Sequence, residues 1–262
     1  MRPITSRQNA HYKALQRLCQ SGRERRKSGR IVLDGMHLIE AYGQHHGSPE
    51  EVLVSESGAR RPENARYLEG RAATTITFLA DTLFDGLAVV DAPSGIMAIV
   101  PRPPSKRGLD LDGDAVLLDG IQDPGNLGSI LRSAAAAGFR QLLLSDDCAQ
   151  AWSPKTLRAA MGAHFQLDIH EHSDLPGFLA AYRGQSVATV LGGPSSLFAA
   201  DLQQPLAWVF GSEGLGVRAA VTTAVDLRLR IPMLGTSESL NVAAAAAVCL
   251  FETLRRRQPT GS

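Results

Sequence analysis

The stretch "LDGIQDPGNLGSILRSAAAAGF", Leu118 to Phe139, places an amide, Asn126, and a cation, Arg132, where an apolar strand-like end passes through a glycine-rich turn into an alanine-rich helix. Its glycines at 120, 125 and 128 do not form the G-x-G-x-x-G dinucleotide fingerprint, and no phosphate-loop lysine follows. The two commonest nucleotide-loop chemistries are thereby excluded. The spacing predicts Asn126 as the N-cap of a helix beginning at Leu127, with Leu127, Ile130, Leu131 and Ala134 as its buried stripe. Arg132 lies off that stripe. A helical side chain leans back over the preceding turn, so Arg132 would pass across Gly128 toward Asn126, at a strand end and helix N-terminus suited to an anion. The loop on its own equally describes an exposed arginine on a capped surface helix.

Two further loops follow apolar runs. "VFGSEGLGV", Val209 to Val217, sets Gly211, Gly214 and Gly216 around Glu213, so a ligand or a neighbouring backbone can approach closely. Glu213 either caps the helix that follows or accepts from Arg132 or from a substrate hydroxyl. In "RIPMLGTSESLNVAAAAAVCLFE", Arg230 to Glu252, a strand ending at Ile231 and Pro232 enters a polar loop; Ser239 is the expected cap of a helix starting at Leu240. Asn241 would then sit in the first turn. Alanines 243 to 247 keep this helix thin, for close packing or for a second subunit.

These loops need a sheet to position them. From Ala115 the chain carries short continuous apolar runs, "AVLLDGI", "QLLLSD", "FQLDIH", "SVATVLGG", "LAWVFGS" and "LRLRIPM". They alternate with helical patterns at Asn126 to Ala137, Ser153 to Met161, Leu175 to Tyr182 and Leu240 to Arg256. Such a pattern predicts a parallel sheet covered on both faces, with ligands beyond the carboxyl ends of its strands. Upstream, "RIVLDGMHLIEAYGQ", "EVLVS", "TTITFLA" and "GIMAIVP" describe a smaller α/β unit. The proline-rich "PRPPSKRGLDLDGD" reads as a semi-extended linker. The expected domains are residues 1–100, a linker at 101–114, and residues 115–262.

Residues 1–30 hold nine Lys/Arg against one acid, a local +8, whereas the remaining 18 basic and 25 acidic residues give −7. This is the footprint of a polyanion-binding segment or of a solvated, partly frayed terminus. No apolar run is long enough to span a membrane, and "MRPITSRQNAHYK" lacks a secretory core, so the expected location is the cytoplasm with no membrane contact. Cys19, Cys148 and Cys249 suggest neither a disulfide framework nor a zinc site. His45 with His46, and His170 with His172, lack a third ligand at metal spacing, so no metal is expected.

Taken in order, the three loops resemble the three motifs of the SpoU/TrmH branch of the SPOUT superfamily of RNA 2'-O-ribose methyltransferases. The likeness runs from Ala115 to Arg256 and includes "SPKTLRAAMGAHF", Ser153 to Phe165. The first hundred residues resemble, more weakly, the ribosomal-protein-like RNA-binding domain of many members. The resemblance implies an α/β fold whose parallel-sheet C-terminal domain is threaded into a trefoil knot, an exception to the rule against knots, beside a small N-terminal α/β RNA-binding domain. It implies S-adenosylmethionine as cofactor, held by backbone at Gly192, Gly211, Ile231 and Leu240. The functional side chains carry over to Asn126, Arg132, Glu213, Ser239 and Asn241, in a homodimer acting on RNA. Ala243 stands, as a tolerated small residue, where the family often has serine, a departure that puts a hydroxyl role there in doubt.

Methyl transfer to a ribose hydroxyl is an in-line displacement, and alignment alone supplies roughly 7 to 11 kcal/mol. A guanidinium with a pKa above about 12 is a poor general base. Arg132 is therefore expected to bind the phosphate beside the target ribose and lower the hydroxyl's pKa, with Asn126 and Asn241 orienting the nucleophile and Glu213 fixing Arg132. The separate N-terminal domain points to ribosomal RNA as substrate. The alternatives are transfer RNA, or a non-catalytic ribosome-associated protein on the same fold; a nicotinamide oxidoreductase is contradicted by the missing fingerprint.

Overall fold

The computed structural model describes residues 3–69, 74–88, 93–105, 108–235 and 239–258. Contacts divide the chain into two compact units, residues 1–104 with 152–165, and residues 105–151 with 166–262. The chain thus passes between the units three times. Residues 152–165 belong by packing to the first unit, although they lie inside the stretch that sequence assigns to 115–262.

In the first unit, strands β1 (Arg30–Asp34), β2 (Glu51–Ser55), β3 (Thr75–Leu79) and β4 (Ile96–Pro101) form a mixed sheet of order β1-β4-β2-β3. β4 is antiparallel to both β1 and β2, while β2 and β3 run parallel. Ile4 bridges to Leu79 and covers the free edge of β3. The basic N-terminal segment is not frayed: it forms helices α1 (Ala10–Gln20) and α2 (Gly22–Ser28). Asn9 caps α1, which buries Tyr12, Leu15, Leu18 and Cys19 at helical spacing into a core with Val32, Leu53, Leu79 and Phe84. Ser21 caps α2 with Glu24 in its first turn. Arg25 is buried, its Nη1 donating to the carbonyls of Leu18 (3.0 Å) and Cys19 (2.8 Å) that end α1. One of the nine cations is therefore structural. Helices α3 (Met36–His46), α4 (Pro62–Glu69) and α5 (Asp81–Asp85) complete the part that precedes residue 104.

The second unit holds β5 (Ala115–Asp119), β6 (Gln141–Leu144), β7 (Asp168–His170), β8 (Gln185–Thr189), the two-residue β9 (Ser195–Ser196), β10 (Leu206–Gly211) and β11 (Leu227–Arg230). Their order is β7-β6-β5-β10-β8-β11-β9, and every pairing is parallel. Alternate residues of the central strands serve opposite faces. Ala115, Leu117, Ala207 and Val209 join one core with Leu175, Phe178 and Leu179 of α8 (Leu175–Ala181) and Val221 of α9 (Ala219–Thr222). Elsewhere α6 (Pro124–Ala136) packs on α10 (Val242–Arg257), and Trp208 Nε1 donates to Thr253 Oγ1 of α10 at 3.1 Å. Helix α7 (Pro154–Ala160) packs on β1 in the first unit.

Residues 108–114 of the expected linker are tied into the second unit. Asp110 and Gln141 exchange two hydrogen bonds (2.6 and 2.8 Å), and Asp114 receives Arg257 at 2.5 and 3.0 Å. Among the described residues no helix is long and apolar enough to cross a membrane, and no group of three or more His, Cys, Asp or Glu gathers as metal ligands do. The three cysteines are free thiols; burial pushes Cys19 up to about 12.

Candidate active site

β5 has β6 on one side and β10 on the other, so the sheet order reverses there and the loops leaving β5 and β10 open side by side. Asp119 and Gly211 are register partners at the two strand ends. The turn after β5 is fastened by Gly120 N–H to Ser145 Oγ (2.9 Å) and by Cys148, whose thiol accepts from Ile121 N–H (3.3 Å) and donates to the Leu118 carbonyl (3.2 Å). A thiol in that role keeps its proton, in line with the upward push of burial on Cys148.

Helix α6 begins earlier than its apolar pattern suggests. Asp123, not Asn126, is its N-cap; the carboxylate accepts from Asn126 N–H at 2.7 Å and Pro124 opens the first turn. Leu127, Ile130, Leu131 and Ala134 are buried as expected. The corrected start matters, because Asn126 no longer spends its side chain on a cap. Its Nδ2 donates instead to Glu213 Oε1.

Glu213 stands in a loop that returns on itself. Ser212 and Gly216 form a two-way backbone bridge (3.1 and 2.9 Å), and Ser212 Oγ accepts from Leu215 N–H at 3.2 Å. A β-carbon on Gly211 would overlap the backbone of Gly216 and Val217, and Gly216 itself has φ +67°. Both positions therefore require glycine. Glu213 neither caps α9 nor pairs with Arg132: Arg218 occupies the cap position, and the partner of Glu213 is Asn126.

At the third loop, Asn241 rather than Ser239 is the N-cap, and α10 begins at Val242 rather than Leu240. Asn241 Oδ1 accepts from Ala243 N–H (2.9 Å) and Ala244 N–H (3.3 Å), while its Nδ2 donates to Asn126 Oδ1 at 2.9 Å. One directional chain thus runs from the amides of α10 through Asn241 and Asn126 to the carboxylate of Glu213. It joins all three loops. Asn126 keeps one N–H and one oxygen lone pair for a ligand, and Asn241 keeps one N–H.

Beside this chain lies a cavity of about 940 Å³, bounded by Thr189 to Gly192, the loop from Gly211 to Val217, Arg230 to Met233, and Ser239 to Val242. Seven of the nine residues singled out by sequence line it: Gly192, Gly211, Glu213, Ile231, Ser239, Leu240 and Asn241. Asn126 reaches it through its bonds to two lining residues. Arg132 is not among the lining residues. It is exposed on α6 and has no hydrogen-bond or ion partner among the described residues.

Sequence reasoning missed a salt bridge behind the loops. Asp119 is fully buried and is held by Arg218, which lies 2.6 to 2.8 Å from it and is thereby pushed above the usual guanidinium range. The signal was an acid closing an otherwise apolar strand. Arg230 was also overlooked; its Nη1 donates to the carbonyls of Gly193 (2.7 Å) and Pro194 (3.1 Å), fixing the turn after β8.

Residues 114–251 match the SpoU rRNA Methylase family, and residues 9–98 match the MRM3-like substrate binding domain. The chain is 32% identical over 254 residues to the 23S rRNA (guanosine(2553)-2'-O)-methyltransferase RlmP of Bacillus subtilis (strain 168), covering 96% of this chain and 98% of that protein. It is similar to the SpoU methyltransferase AviRb from Streptomyces viridochromogenes, solved in complex with the cofactor AdoMet: TM-score 0.83, 28% identity, 95% of this chain and 98% of that one. A structure described as giving insight into 2-OH methylation of C/U34 on tRNA matches over 56% of this chain and 97% of its own, with TM-score 0.51 and 29% identity. With a family match over more than half its length and a relative spanning nearly all of it, the chain belongs to the SpoU methylase family.

Proposed function

We propose that this protein transfers a methyl group from S-adenosylmethionine to a ribose 2'-hydroxyl of ribosomal RNA. The observation that carries the reading is the side-chain chain Asn241, Asn126, Glu213 at the edge of the cavity. A volume of about 940 Å³ is of the size that small-molecule cofactors occupy. Its lining combines apolar walls, Val190, Ile231 and Leu240, with polar groups at Ser212, Glu213 and Ser239, which suits a ligand carrying an aromatic base at one end and an amino acid at the other. Gly192, Gly211, Ile231 and Leu240 would hold that ligand through backbone. When bound, S-adenosylmethionine supplies an electrophilic methyl on a sulfonium.

The chain's own residues do the rest. Asn126, fixed on both sides, offers its remaining lone pair to the proton of the ribose hydroxyl and so aims the oxygen. Asn241 adds one N–H. Arg132, free of protein partners among the described residues, binds the phosphate beside that ribose, and its charge lowers the hydroxyl's pKa. Glu213 serves by holding Asn126, in place of the Arg132 contact expected from sequence.

In this reading residues 1–100 bind the RNA and 115–262 carry the transfer, except that 152–165 pack with the first unit and 108–114 of the connecting stretch 101–114 with the second. Exposed Arg7, Arg17, Arg23, Arg26 and Lys27 on and before α1 and α2 supply the phosphate-binding charge. A homodimer through the thin face of α10, a trefoil-knotted sheet and a cytoplasmic location belong to the same proposal. Transfer RNA is the weaker substrate because the tRNA-related structure matches only 56% of the chain, whereas the ribosomal RNA enzyme RlmP matches 96%.

A thermal-shift comparison tests the cofactor: S-adenosylmethionine well above its Kd must raise the Tm, and NAD must not. Mapping ribose methylation across total RNA, with and without the protein, tests the substrate. No site in ribosomal RNA losing its methyl group would overturn the assignment.

A further inference from the structure

Three observations converge on Arg218, a residue outside the chemistry described so far. The loop 212–217 carries Glu213 and one wall of the cavity, yet its tip is open: a β-carbon on Gly214 would meet no atom within 4 Å, and Leu215 is 91% exposed. Its first foot, Gly211, is secured by register with Asp119 across the β5–β10 ladder. Its second foot is Arg218, whose backbone N–H donates to Asp119 Oδ2 at 2.8 Å and whose Nε and Nη2 reach Asp119 Oδ1 at 2.7 and 2.6 Å.

We propose that Arg218 and Asp119 are a positioning pair that clamps both feet of the cofactor loop to the end of β5 and so sets where Glu213 and the cavity wall stand. The inference rests on the cofactor reading given above. Asp119 is a fully buried carboxylate on a central strand, a costly place for a charge unless it is paired and hydrogen-bonded. All three side-chain contacts of Asp119 among the described residues come from Arg218, so whatever moves Arg218 moves the foot of the loop. Arg218 Nη1 also lies 3.5 Å from Asp147 Oδ2, which holds the guanidinium from its far side. A lysine would keep the charge and lose the planar fork that spans Nε and Nη2. Neither residue lines the cavity, and neither touches the atoms that react.

The test is hydrogen exchange on the protein without added ligand, followed by S-adenosylmethionine binding and steady-state kinetics. In Arg218→Ala the amides of 212–217 exchange at least about tenfold faster, while those of β5 and β10 stay protected. The Kd and KM for S-adenosylmethionine rise about tenfold, and KM for RNA stays within about twofold. Arg218→Lys recovers both in part. Should Arg218→Ala fail to fold because Asp119 is left charged and buried, the double variant Asp119→Asn with Arg218→Ala removes both charges and must show the same released loop. Wild-type exchange at 212–217, or wild-type affinity for S-adenosylmethionine, in a folded variant overturns the proposal. If the wild-type protein itself does not bind S-adenosylmethionine but the variant loop is released, the clamp stands and the cofactor reading falls.

Discussion

Both sheets place polar residues at or just beyond some of their strand ends, and the two units use them in different ways. In the first unit the groups are spent on fastening backbone and neighbouring loops. Asp34, ending β1, accepts from Ser94 Oγ at 2.8 Å; Ser55, ending β2, accepts from Gly58 N–H at 2.9 Å; Asp81, beyond β3, takes the amide and hydroxyl of Ser57. In the second unit Asn126, Glu213 and Asn241 each come from a different loop, bond to one another, and keep valences free beside a cavity. A strand end is therefore not a site by position alone. It becomes one when its polar groups, having linked separate loops, still keep free valences beside a cavity.

The largest effects should fall where that linkage is cut. Asn126→Ala and Arg132→Ala should each lower kcat by at least about 100-fold, the scale of losing a preorganised stabiliser, with the Kd for S-adenosylmethionine nearly unchanged. Turnover at the wild-type rate in either variant would remove that residue from the mechanism. In the proposed function the first unit contributes through its basic helices and not through its strand ends. Charge reversal of Arg23, Arg26 and Lys27 should weaken RNA binding on the order of tenfold or more and flatten its salt dependence, with kcat at saturating RNA preserved.

Two buried carboxylates sharpen the contrast in stability. Glu252 of the second unit receives Arg255 at 2.7 and 2.8 Å and Arg256 at 2.7 Å, and these guanidiniums hold it down at about 2. Its stabilisation is complete above the ordinary carboxylate range near 4.3 and is lost as pH falls toward 2. Glu252→Gln should thus cost roughly 1 kcal/mol at pH 7, moderated by the exposure of Arg255, and nothing near pH 2. Asp34 has the opposite sign. Burial pushes its carboxyl up despite Ser94, and Arg158 stands 3.9 Å away, so ionising it costs folding energy once pH passes the unfolded value of about 3.9. Asp34→Asn should raise the Tm at pH 7, and the gain should vanish below about pH 3.9.

Much of this was legible in the residues. Each apolar run became a strand, and the loops after β8, β10 and β11 met at one cavity, with Asn126 after β5 bonded to its edge, because alternating strands and helices leave little freedom in where strand ends go. Caps were misread for a local reason: Asp123 before Pro124 and Asn241 before Val242 compete with equally good capping types nearby, Asn126 and Ser239. The misreading hid the free amide of Asn126. Helices α1 and α2 were obscured by charge, since Arg25 looks like a surface cation and is in fact buried against the end of α1. Pairings such as Asp119 with Arg218 join residues far apart in the chain, and no spacing rule reaches that distance.

The three crossings between units also bear on how the chain is made. The first unit is not contiguous: α7, which packs on β1, is encoded after two strands of the second. During synthesis a domain generally folds once its last segment has emerged. Here residues 1–104 must wait, their sheet lacking one covering helix, until residue 165 leaves the ribosome, by which point β5 and β6 are already out. The first unit thus closes only after part of the second has emerged, and neither can be cut from the chain as a single uninterrupted piece.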